Sequence, residues 1–191
     1  TVTGNIADLT SVYVLANGLT TGDEAVTITG ATTAAQADAI ADATSGIVTA
    51  TVTEATAAVL NGALADSGPQ VNALTLKVSD NTTTLAKDLT DLDDKTSVAV
   101  DASAVSDISG SSAEVAAAYL AANTVGHITG LGNETVNLTG ATDANATLVK
   151  AINDFTTGLI TLPTITFDNG AATTFNLNAA TLGDLSGITG L

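Results

Sequence analysis

Asp80, Asp88, Asp91, Asp93, Asp94, Asp101 and Asp107 form the densest run of carboxylates in the sequence. Ligands that are all oxygen suit a hard cation, so calcium is the cofactor such a run would take. Asp93 and Asp94 fall near a predicted helix end, where negative charge opposes the helix dipole and a cation would relieve it. Lys87 and Lys95, four residues either side of Asp91, offer ordinary pairing along a helix surface instead. The run matches neither an EF-hand loop nor the Gly-Gly-x-Gly-x-Asp nonapeptide of calcium-binding β-rolls. It reads as a solvated acidic face, and no metal, cofactor or catalytic residue is assigned in it.

Other reactive side chains are scarce. His127 is the only histidine and lies in Val125-Gly126-His127-Ile128. With no cysteine and no second histidine in the chain, it reads as a surface or loop residue rather than a catalytic base. Gly130-Leu131-Gly132 lacks the flanking pattern of a nucleotide-binding loop and reads as turn glycine. Paired carboxylates could serve a glycosidase, but two Tyr, three Phe and no Trp cannot line a sugar cleft. The chain is expected not to be an enzyme. Asn81, Asn133, Asn137 and Asn145 begin Asn-x-Thr triplets at about the frequency that this composition produces by chance. Thr27-Ile28-Thr29, Thr49-Ala50-Thr51 and Thr164-Ile165-Thr166 suggest a Thr-x-Thr ladder of the ice-binding kind. The series is broken by Thr75-Leu76-Lys77, Ser97-Val98-Ala99 and Thr135-Val136-Asn137, so threonine there reads as a good outward-facing strand residue.

These residues need a scaffold, and composition bounds it. The chain has 191 residues, 35 of them Thr and 35 Ala, with 45% hydrophobic residues and a formal net charge of −16. That is apolar enough to fold, around a core of small side chains. Twenty acids face four lysines and no arginine, which excludes nucleic acid and anionic membranes as partners. No apolar run approaches the 18 or so residues of a membrane span. The opening Thr1-Val2-Thr3-Gly4 has no basic stretch, as expected of a segment or a processed product.

Internal repetition carries the fold expectation. Val26-Thr-Ile-Thr-Gly-Ala-Thr32 matches Val136-Asn-Leu-Thr-Gly-Ala-Thr142. Each precedes a helical stretch, 34–44 or 144–156, and then Ser45-Gly46-Ile47-Val48 or Thr157-Gly158-Leu159-Ile160 entering the next strand. Strand anchors at Val26, Ala50, Leu76, Val98, Val136 and Ile165 are 24, 26, 22, 38 and 29 residues apart. This is a loose period of about 25 with an irregular insertion at 104–133. Leu85, Leu89 and Leu92, like Leu148, Ile152 and Phe155, fall on one side of a helix. Thr32 or Thr33, Asn81, Asp143, and Ser111 with Glu114, supply helix starts. Strands joined through helices lie parallel. The expectation is an α/β right-handed repeat solenoid, residues 1–191 as one domain of about six coils, each with one short parallel strand and one short helix. A doubly wound sheet ranks second, and a β-sandwich below it.

The stretches 84–103 and 108–120 (Thr-Leu-Ala-Lys-Asp-Leu-Thr-Asp-Leu-Asp-Asp-Lys-Thr-Ser-Val-Ala-Val-Asp-Ala-Ser and Ile-Ser-Gly-Ser-Ser-Ala-Glu-Val-Ala-Ala-Ala-Tyr-Leu) carry a family resemblance. They resemble the degenerate repeats of very large secreted surface proteins, haemolysin-like or S-layer-like, of cyanobacteria and marine proteobacteria. The resemblance spans about residues 24–168 and implies a non-catalytic extracellular or cell-surface role in a coat, stalk or lattice. The expected partners are flanking repeats or neighbouring copies, with end-to-end self-association at the exposed ends. The alternative is an extracellular binding or adhesion module, with 104–133 as a loop for calcium, glycan or protein.

Overall fold

The computed structural model describes residues 1–14, 22–65, 71–79, 82–139, 146–162, 165–166, 172–173 and 176–177. Alternating β-branched residues make the strands. In β2 (Val26–Thr32) Val26 and Ile28 are buried while Thr29 is exposed, and in β3 (Val48–Val52) Val48, Ala50 and Val52 are buried while Thr49 and Thr51 are exposed. With β1 (Val2–Asn5) and β4 (Ala73–Thr75) they form a four-stranded parallel sheet in the order β1-β2-β3-β4. Its register runs Val2↔Val26↔Val48 and Ala50↔Leu74.

Each strand leads into a short helix. α1 (Ile6–Tyr13), α2 (Ala34–Ala41) and α3 (Ala57–Ala63) start at Asn5, Thr33 and Thr56, whose side chains accept a backbone N–H of the first turn. α5 (Ser112–Ala122) begins with the capping box that Ser111 and Glu114 predict. α4 (Ala86–Asp93) starts at Leu85 with no side-chain cap, and α6 (Ala146–Phe155) follows the second copy of the repeat. The predicted starts at Asn81 and Asp143 lie outside the described residues. Leu89 and Leu92 are fully buried, but Leu85 precedes the helix and is 53% exposed, so the predicted leucine face loses its first member.

Beyond Asn72 each unit has two strand segments, not one. β5 (Thr84–Leu85), β7 (Asp107–Gly110), β9 (Thr135–Leu138) and β10 (Ile160–Thr161) form a second parallel ladder, with Ile108↔Val136↔Ile160 in register. β6 (Val100–Asp101) pairs in parallel with β8 (Ile128–Thr129), and bridges at Asn72↔Thr96 and Lys77↔Asp101 connect them towards β4. The split comes from turns inside the unit. Asp101 accepts the Ser103 N–H at 3.0 Å, an Asx-type turn, and Gly130 and Gly132 take positive φ before β9. Residues 104–133, where the anchor spacing lengthens, thus hold β7, α5 and β8.

Parallel pairing stops at β10, contrary to the all-parallel expectation. β13 (Asn176–Leu177) pairs with β10 antiparallel, and β11 (Ile165–Thr166) pairs with β12 (Ala172–Thr173) antiparallel. Only residues 167–171 separate β11 from β12, too few for the dozen or more that a parallel crossover needs.

The core is one cluster between strands and helices. Val26, Val48, Leu74, Val100, Ile108 and Val136 enter it from strands, and Ile40, Leu60, Leu89, Val115, Tyr119 and Ile152 from helices. Helices that follow one another in the chain touch from α1 through α6. Alanines such as Ala37, Ala86 and Ala118, all nearly inaccessible, let these layers approach closely.

Candidate functional site

The acidic run is dispersed by the fold. Asp91 pairs with Lys87 on α4 at 2.5 Å. Asp107 accepts the Thr135 hydroxyl at 2.7 Å and the Asn137 amide at 3.0 Å. The Ser103 hydroxyl and N–H hold the Asp101 carboxyl below its ordinary range. Asp91 and Asp94 share a cavity of about 450 Å³ with Asn61, Ala65 and Lys95, and the Lys95 ammonium donates to the Leu64 carbonyl at 3.0 Å. Asp80 lies outside the described residues. Among the described residues no three histidine or carboxylate side chains converge as around a metal ion.

His127 sits in the turn between α5 and β8, half exposed, with Nδ1 2.8 Å from Asp93 Oδ2. The pair joins the exit of α5 to the end of α4, the helix before it in the chain. No hydroxyl or thiol lies in it, so it ties units together without a nucleophile.

A more regular polar constellation recurs at the exits of α2, α4 and α6. After α2, the Thr44 hydroxyl donates to the Glu24 carbonyl at 2.9 Å and accepts Gly46 N–H at 3.0 Å. After α4, the Thr96 hydroxyl donates to the Leu74 carbonyl at 2.7 Å and accepts the N–H of Leu74 and of Val98. After α6, the Thr156 hydroxyl donates to the Glu134 carbonyl at 3.0 Å and accepts Gly158 N–H at 3.0 Å. The next residue repeats too: Ser45, Ser97 and Thr157 each donate both backbone N–H and hydroxyl to one carbonyl of the preceding unit, that of Gly22, Asn72 or Gly132. Chain crosses chain so closely here that a methyl group on Gly46 or Gly158 would overlap the carbonyl of Glu24 or Glu134. The sequence signal is Thr-Ser/Thr-Gly/Val at a helix end, of which the repeat comparison marks Ser45-Gly46 and Thr157-Gly158 only as the entry to the next strand.

The turn that receives the staple is itself pinned by an acid. Glu24 Oε2 accepts Gly22 N–H at 2.9 Å, and Glu134 accepts Gly132 N–H through both oxygens at 2.8 and 2.9 Å. Glu134 is fully buried, and its carboxylate is completed by the Tyr119 hydroxyl at 2.9 Å. Tyr119 stacks on Phe155 with ring centroids 6.0 Å apart, and burial pushes its phenol pKa well above the ordinary range. Both tyrosines stand beside such an acid, Tyr13 near Glu24 and Tyr119 on Glu134.

No helix among the described residues is long and apolar enough to cross a membrane. Among known proteins, no family model, curated protein or solved structure matches this chain.

Proposed function

We propose that this chain is a non-catalytic mechanical element of a secreted bacterial surface protein, built as a right-handed solenoid. The observation that carries this reading is the recurrence of the threonine staple at three helix exits, each binding one unit to the unit before it. Parallel strand pairs and helix contacts likewise join neighbouring units, so load passes along the stack through nearest-neighbour interfaces. Small inward side chains and an acidic surface fit a stiff, soluble spacer in a coat, stalk or lattice.

The test is to pull single molecules from their two ends. A stack held by neighbour interfaces gives way in successive length increments, each about one strand–helix unit. A single all-or-none extension would overturn the reading. Protease treatment of intact source cells tests the surface assignment, and a chain released only after lysis would defeat it.

A further inference from the structure

The register of the first sheet differs from the one that the anchor residues suggest, and the difference rebuilds the threonine ladder. β2 carries two extra residues between Thr27↔Thr49 and Ala31↔Thr51, a bulge at Gly30 with φ 81°. On the other side of β3, the strand partner of Thr51 is Thr75, not Lys77. Thr3, Thr27 and Thr49 align in one column, which ends at Ala73, and Thr51 and Thr75 follow Ala31 in the next, with Thr29 in the bulge beside them. Their strand neighbours Ile28, Val48, Ala50, Val52 and Leu74 are buried, so these threonines share the outward face. Strand geometry spaces the columns by roughly 6.6 Å and the members of a column by about 4.8 Å.

The hydroxyls on this face differ from those at the helix exits. Thr44, Thr96 and Thr156 spend theirs on backbone carbonyls. Those of Thr3, Thr27, Thr29, Thr49, Thr51 and Thr75 make no hydrogen bond to any described residue. β-Branching restricts χ1, so each hydroxyl and methyl is presented in few orientations. None of the six positions is charged, although the chain as a whole has net charge −16. The described aromatic side chains, Tyr13, Tyr119 and Phe155, belong to helices.

We propose that the outward face of β1–β4 binds ice. A neutral, periodic array of hydroxyls and methyls has the chemistry of an ordered water lattice. It lacks the aromatic platforms that hold sugars and the charges that hold minerals. The face acts independently of the mechanical reading, because it needs only the four strands that carry it.

The experiment is partition into slowly growing ice, with an acidic globular protein of similar size as the reference. Wild type and V125K, altered at a fully exposed residue outside the array, are expected to be retained in ice. T49K/T51K is expected to be excluded like the reference, while circular dichroism shows its fold unchanged. If that pair does not fold, T75K alone carries the same comparison. Exclusion of wild type from ice, retention of the folded lysine variant, or wild-type binding to crystalline cellulose but not to ice would overturn the proposal.

Discussion

At the residue scale, a few buried polar atoms hold the units together. The Thr156 hydroxyl serves both Glu134 C=O and Gly158 N–H and is 3% exposed. T156V keeps its shape but strands both partners, and should cost about 1–3 kcal/mol, measured as a lower denaturant midpoint. Tyr119→Phe removes the hydroxyl that completes the buried Glu134 carboxylate. Hydrogen bonds to charged groups contribute about 1.5–3 kcal/mol, so this variant should lose that order of stability. The same phenol sets an alkaline limit. Its folded pKa lies above the unfolded value of about 10, so the native state holds the proton longer. Its contribution is complete below about pH 10 and declines as pH rises from there towards the folded value. Denaturant midpoints at pH 9 and pH 11 should show that decline in wild type and a smaller one in Y119F; equal declines would refute the assignment to Tyr119.

At the element scale, the caps of α2 and α5 were readable because they are local, whereas those at Asn5 and Thr56 were not read from the sequence. Thr33 with Gln36 and Ser111 with Glu114 span four residues, and both form capping boxes. S111A should destabilise by about 1 kcal/mol in thermal melts. The Ser111 N–H and hydroxyl hold the Glu114 carboxyl below its ordinary range. Its contribution is therefore present at neutral pH and lost as pH falls through the carboxylate range, so the stability gap between wild type and S111A should narrow on acidification. Periodicity placed α4 and α6, the repeat comparison α2 and the capping signal the start of α5, but the periodicity assigned Leu85 inward. A leucine at the cap position does not follow helical spacing, and nothing local marks that α4 begins one residue later.

At the scale of the whole molecule, charge and stacking decide behaviour. Twenty acids against four lysines repel one another in any compact state, so raising sodium chloride should raise the melting temperature by screening. Because Asp88, Asp91, Asp93, Asp94, Asp101 and Asp107 do not converge around one point, calcium at matched ionic strength should add nothing beyond magnesium. A calcium-specific upward shift would restore a metal site.

The sequence by itself determined the element types, the starts of α2 and α5 and the small-residue core, because propensity and capping act over a few residues and the size of core side chains follows from the composition as a whole. Tertiary structure alone decided strand register, the second ladder, the antiparallel pairs at 160–177 and the tie from His127 to Asp93. A two-residue bulge at Gly30 sets Ala31 rather than Thr29 opposite Thr51, and the separate β3–β4 register places Thr75 on the other side of Thr51. The staples were likewise hidden, because each hydroxyl meets a carbonyl 20 or 22 residues away. Such pairings are set by how neighbouring units pack, which no short window of sequence contains.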